Sequence, residues 1–304
     1  MTSLFIAPEL ADGLRSHDSR FQTGGEFHGR PTLGVVLGSG LGGLADQIEH
    51  PIAVAYSEIS GLPASTASGH RGEFILGTLA STPVIAMAGR LHAYEGHAPT
   101  TTTRPLTVMR DAGVTHLVVS CAAGGLNPRF HAGDVAILDQ RMSWLGGAMG
   151  QGVLPINQAV VGEIPPVPQP AEFPIDANMA AVADRIAFED QFRLHRATYL
   201  AVNGPNYETR AECRMMRTLD VDVVGMSTVP ECIAAGAMGL PLLPIAVITN
   251  MAIPDSPVTA DHADVLEVSN RAGAKLQQIV LAIAKSMSRE STSPESTPSG
   301  NIRS

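Results

Sequence analysis

Eight short runs of apolar, mostly β-branched residues punctuate the chain, and longer segments of helical spacing lie between them. The runs are LGVVL (33–37), EFILGTL (73–79), PVIAMAG (83–89), HLVVSCA (116–122), DVAILD (134–139), TYLAVNG (198–204), VDVVGMS (221–227) and LPIAVITN (243–250). Most are continuous rather than alternating, as strands buried on both faces are, so the pattern predicts a mixed or parallel sheet covered by helices. Helices are expected over 99–112, 177–194, 209–219, 229–238 and 260–286. A composition 44% hydrophobic and 16% charged over 304 residues is sufficient to bury such a sheet.

The alternation occupies 31–287. Residues 1–30 are expected to be an irregular N-terminal segment, and 288–304, with their Ser/Pro/Thr/Glu bias, a disordered tail. The first apolar run is broken by Pro8 and Glu9, which leaves it too short for a signal peptide, and no run approaches the ~18 apolar residues of a spanning helix. These features predict a soluble, cytoplasmic protein with no membrane partner. Cys121, Cys213 and Cys232 are odd in number and lack ligand spacing, which predicts reduced thiols and no metal. A net charge of −9, with Lys275 and Lys285 as the only lysines, excludes the basic footprint of a nucleic-acid partner. The stretch 141–174 reads as a long loop, of the kind that is usually functional or interfacial.

After the first run, Gly38, Gly40 and Gly43 satisfy the G-x-G-x-x-G spacing, with Glu58 at the distance of a ribose-binding acid. The loop therefore suits either a dinucleotide or another small anion. In α/β sheets ligands sit at strand ends, and the polar residues of this chain collect there: Ser39, Arg90 and His92, Gly124 and Gly125, Tyr207 and Glu208, Met226 and Ser227, and Asn250. They sort by chemistry into two groups. Ser39, Arg90, His92, Ser227 and the glycine amides suit a tetrahedral oxyanion, whereas Glu208 and Asn250 suit the N–H and carbonyl groups of a neutral heterocycle.

Each residue alone has a plainer reading. Ser39 between glycines is equally a turn residue, and Arg90, His92 and Tyr94 equally a surface salt-bridge loop. His70 suits loop packing. Glu208 suits a helix cap, Asn250 a turn, and His262 the solvated start of a helix. Only the joint placement is informative.

The ordered blocks VLGSGLGGL, GHRG, GRLHAYEGH, AAGGLNPRFHAGD, NGPNYETRAECR and VGMSTVPE resemble those of the trimeric purine nucleoside phosphorylases, over roughly 31–287. The resemblance makes the glycine loop a phosphate loop. It implies a single α/β domain around a mixed, partly barrel-like central β-sheet flanked by helices, assembled as a homotrimer. The implied reaction cleaves inosine, guanosine and their 2′-deoxy forms with phosphate, giving the free base and α-D-(deoxy)ribose 1-phosphate in purine salvage. Position by position, it assigns phosphate to Ser39, His70, Arg90, His92, the backbone at Ala122, and Ser227. It assigns the ribose to Tyr94, Met226 and, through the 5′-hydroxyl, His262, and the base to Tyr207, Glu208 and Asn250. Tyr207 stands where the family usually has phenylalanine. Asn250, Glu208 and His92 are the residues expected to matter most for turnover. No cofactor follows, because phosphate is itself the co-substrate.

Glu208 and Asn250 suit a 6-oxopurine, whose N1 carries hydrogen. Adenine would set a bare N1 against the carboxylate, at a cost of about 1–3 kcal/mol. His262 and MSTVPE point away from the related methylthioadenosine phosphorylases, which carry an apolar residue and MTTVPE. That activity, a non-catalytic nucleoside-binding protein and, last, a nicotinamide enzyme are the rival readings. Two departures from the family stand out: Cys121 occupies a position usually Asn or Thr, and the segment after Asp139 lacks the usual loop that carries an aromatic residue into a neighbouring subunit. Trp144 is the aromatic residue placed to substitute.

Overall fold

The computed structural model describes residues 8–38, 42–66, 71–145, 171–254 and 262–290. The buried run Leu33–Leu37 forms β1 at the middle of a ten-stranded mixed sheet. On one side β1 pairs in parallel with β4 (Thr82–Ala88), which continues antiparallel to β3 (Glu73–Leu79) and then β2 (Glu49–Ala55). On the other side it pairs in parallel with β5 (His116–Gly125). There the sheet closes on itself. β5 pairs with β10 (Leu242–Met251), β10 with β6 (Val135–Ser143), β6 with β8 (Leu194–Ala201), and β8 with β9 (Val223–Gly225), which returns to β5. A short β7 (Ala171–Glu172) lies against β6. The expected mixed, partly barrel-like sheet is thus what the chain forms.

Helices cover it: α1 (Pro8–Ser16), α2 (Pro99–Thr102), α3 (Arg104–Asp111), α4 (Ala177–Glu189), α5 (Arg210–Thr218), α6 (Val229–Ala237) and α7 (His262–Glu290). Two apolar clusters lie on opposite faces. One joins Val36, Phe74, Met87 and Val119 to the N-terminal residues and α6, and the other packs Val35, Val118, Ile245 and Val247 under Leu276, Ile279 and Ile283 of α7. Strands with covered faces need no polar alternation, which is why they read as continuous apolar runs. Among the described residues no helix is long and apolar enough to cross a membrane.

Four expectations require correction. The N-terminal segment is only partly irregular: residues 8–16 form α1, with Leu10, Ala11 and Leu14 on one face, 22–30 are turns and bends, and Ala11, Leu14, Phe21 and Phe27 join the main core. The rings of Phe21 and Phe27 meet edge to face at 5.0 Å. At the other end α7 runs past 287 to Glu290, while 291–304 lie outside the described residues. The helix expected over 99–112 breaks at Thr103 into α2 and α3, because Pro105 lacks an N–H and crowds the preceding turn. Finally, the loop expected over 141–174 is shorter at both ends, since β6 extends to Ser143 and β7 begins at Ala171, with 146–170 outside the described residues. The backbone N–H of Trp144 donates to the Ala201 carbonyl at 2.8 Å, and its side chain packs, partly buried, against the apolar cluster that includes Leu126, Met142 and Leu200.

Candidate active site

β1, β4, β5 and β10 run parallel, so their carboxyl ends share one edge of the sheet. β8 and β9 run against β5, and closure of the sheet swings their following loops onto Ala122–Gly124. The result is a cavity of about 410 Å³ that Gly38, Arg90, Ala122, Glu208, Ser227 and Asn250, among others, line together.

On one wall, Arg90 follows β4 and is 1% exposed. Its guanidinium donates to the Ser120 carbonyl and, at 3.3 Å, to the Thr228 hydroxyl, and it lies 3.4 Å from a Glu231 carboxylate oxygen. Ser120 in turn bonds the end of β1, its hydroxyl donating to Val36 O at 2.8 Å and accepting from Gly38 N at 3.3 Å. Thr228 caps α6 with φ 74°, a strained conformation for a β-branched residue, held where its hydroxyl meets both Arg90 and Ser227. The Ser227 amide donates to the buried Tyr199 hydroxyl at 3.3 Å. Gly225 permits this approach, because a Cβ there would stand 2.5 Å from the same oxygen. Burial pushes the Tyr199 hydroxyl far above its ordinary range, which keeps it neutral.

His92 lies on the same wall, its ring stacked 4.6 Å from that of Tyr94 at 17°. The Glu95 carboxylate meets His92 on one oxygen and, on the other, accepts from Thr66 N at 2.8 Å and Thr66 Oγ1 at 2.6 Å. Burial raises the Glu95 carboxyl, but these hydrogen bonds outweigh it and bring it down to about 2. Cys121 lines the cavity but is almost fully buried, and desolvation pushes its thiol above the usual range.

A second part of the lining carries the heterocycle-type groups. A β-bulge in β10 sets Asn250 opposite Gly124 while Ile248 opposes Ala123, so Thr249 is the extra residue and Asn250 turns toward the cavity. Thr249 donates to Asn250 Oδ1 at 3.1 Å, which leaves the side-chain NH2 as donor. Glu208 does not cap α5. That role falls to Thr209, which forms a capping box with Glu212, so the Glu208 carboxylate is left to the cavity, where burial raises it. Tyr207 and Met226 also line the cavity, and Tyr207, like the Tyr94 stacked on His92, is partly exposed.

Of the residues expected from sequence, Arg90, His92, Tyr94, Ala122, Tyr207, Glu208, Met226, Ser227 and Asn250 all border this one cavity. Ser39 and His70 lie outside the described residues, as does the side chain of His262, the first residue of α7. Sequence reading missed Thr66, Glu95, Tyr199, Thr228 and Glu231. Glu95 carried a signal in its three-residue spacing from His92, and Thr228 and Glu231 lie within the block VGMSTVPE; Thr66 and Tyr199 meet the site through tertiary contacts. Among the described residues no group of three or more His, Cys, Asp or Glu side chains is placed to hold a metal ion.

Residues 32–285 match the family described as the Phosphorylase superfamily. The chain is 41% identical over 260 residues to purine nucleoside phosphorylase 1 of Bacillus subtilis, covering 83% of this chain and 91% of that protein. It is 40% identical over 261 residues to purine nucleoside phosphorylase of Bos taurus, covering 85% and 90%. Among solved structures, Schistosoma mansoni purine nucleoside phosphorylase in complex with inosine superimposes with a TM-score of 0.76 at 29% identity, over 93% of this chain and 98% of that one.

Proposed function

The chain belongs to the purine nucleoside phosphorylases of the Phosphorylase superfamily, and on that premise we propose that it cleaves purine nucleosides with inorganic phosphate, releasing the base and ribose 1-phosphate. The observation that carries the reading is that one cavity is lined both by an arginine–serine wall and by a glutamate–asparagine wall. Phosphate fits the first wall, at Arg90, His92, Ser227 and the backbone of Ala122, and Ser39 and His70 join it by their place in the sequence. The base fits the second, with Glu208 accepting from N1–H and the Asn250 NH2 donating at N7/O6. Tyr207, Tyr94, Met226 and His262 serve the base and the sugar.

As the glycosidic bond lengthens, positive charge grows on the sugar and negative charge on the purine. A phosphate dianion below the sugar supports the first and then bonds to C1′ with inversion, while the Asn250 donor supports the second. No covalent intermediate with the protein is required; positioning dominates. The preference is for 6-oxopurines, inosine and guanosine with their 2′-deoxy forms. The test is chromatography of base release from inosine, guanosine, adenosine and methylthioadenosine, with and without phosphate. Phosphate-dependent release of hypoxanthine and guanine alone supports the reading, adenine release overturns the base assignment, and binding without release favours a non-catalytic protein.

A homotrimer working in the cytoplasm completes the proposal, and the three buried, unpaired cysteines fit a reducing compartment. Light scattering on the purified chain checks the trimer, and a monomeric mass overturns it.

A further inference from the structure

Building on the phosphorolysis reading, we infer that Glu231 is the resident counter-ion of Arg90 and limits how tightly the site holds phosphate. The two side chains are 2% and 4% exposed and meet at 3.4 Å. A guanidinium does not give up its proton, so burying one without an anion is costly. In the ligand-free protein Glu231, in the first turn of α6, supplies that anion. It also opposes the dianion that comes to the same guanidinium, since like charges in a buried site repel strongly.

A second observation gives the carboxylate somewhere to turn. Behind the pair lies a smaller cavity of about 30 Å³, which shares His92 and Ser227 with the main one and is also lined by Glu231 and His97. It is large enough for a water. The buried His97 Nε2 has no hydrogen-bond partner among the described residues. A water there satisfies this nitrogen and solvates Glu231 when phosphate shares Arg90. Glu231 is thus a residue that acts through Arg90, balancing its charge in the empty site and easing exchange of the anion in each turnover.

Glu231→Gln keeps the size and an acceptor oxygen but removes the charge. Its melting temperature is to be followed over a phosphate series, beside KM for phosphate and for inosine. The variant is expected to melt below wild type without phosphate and to gain more from added phosphate, because the anion then supplies the counter-charge that Glu231 gave. KM for phosphate should fall roughly tenfold while KM for inosine stays within about twofold, and Glu231→Asp, which restores the charge, should return both readouts toward wild type. An equal melting deficit at every phosphate concentration, or a phosphate KM that is unchanged or higher, overturns the inference. If Glu231→Gln does not fold, Arg90→Met is compared with the Arg90→Met/Glu231→Met double variant. The double variant is expected to melt higher, since no lone carboxylate stays buried, and the reverse order overturns the inference. Wild type that releases no base with phosphate overturns the reaction instead, while the phosphate-dependent melting comparison still decides the role of Glu231.

Discussion

Glu95 Oε1 accepts the backbone N–H of His92 at 2.7 Å and stands 3.2 Å from the Nδ1 of the same residue's ring. A carboxylate at that distance favours the tautomer protonated on Nδ1 and fixes the ring plane against Tyr94. The other Glu95 oxygen ties Thr66, so one side chain joins two loops that border the cavity.

Glu95→Gln is therefore expected to lower both stability and turnover. Loss of the charge-assisted hydrogen bonds should cost about 1–3 kcal/mol. The Glu95 carboxyl lies near 2 in the folded protein, below its unfolded value of about 4.3. Its stabilisation is hence fully present above that unfolded value and is lost as pH falls toward about 2. Thermal melts of both proteins from neutral to acid pH check this: the gap should be widest near neutrality and close by about pH 2.

Glu208 shifts the opposite way, because burial raises its carboxyl. The N1–H of a 6-oxopurine needs the ionised form. KM for inosine should consequently rise on acidification at a pH above the ordinary carboxylate range, while KM for Glu208→Gln stays flat through the same window. Glu208→Ala should lose about 1–3 kcal/mol in kcat/KM for inosine and far less for adenosine. Steady-state assays over a pH series measure both.

The Tyr199 hydroxyl is the acceptor for the Ser227 amide. Tyr199→Phe removes it and should cost about 1–3 kcal/mol of stability, with KM for phosphate rising more than KM for nucleoside. Gly225→Ala should act on the same contact by steric pressure, since its Cβ would stand 2.5 Å from the hydroxyl. Urea unfolding and phosphate saturation curves report the two effects separately.

Leu14 is fully buried in a segment whose sequence reads as irregular. Leu14→Ala should destabilise the protein by about 2–5 kcal/mol, and deletion of residues 1–30 by more, because Phe21 and Phe27 leave the core with it. Urea midpoints at constant slope check the first, and soluble yield with melting temperature the second.

The strands were most legible where both faces are covered. LGVVL and EFILGTL coincide with β1 and β3, whereas β2, an edge strand carrying Pro51 and exposed over most of its length, holds only the short apolar stretch Ile52–Ala55, which the pattern of runs left out. The site followed the same rule. Arg90, Glu208 and Asn250 stand at the ends of strong runs, while Glu231 and Tyr199 sit inside elements where their side chains look like ordinary helix and strand residues.

The sequence by itself determined the residue types and their order: apolar runs for a covered sheet, glycines after the first run, and donors and a carboxylate at strand ends. Tertiary structure alone decided how they meet. Closure of β5, β10, β6, β8 and β9 turns loops from oppositely running strands onto one cavity. The bulge at Thr249 aims Asn250 inward, and the capping box at Thr209 frees Glu208 from the helix end. The Arg90–Glu231 pair forms between residues 141 positions apart (231 − 90). Pairing register and long-range electrostatics have no local period, so they become visible only once the chain has folded.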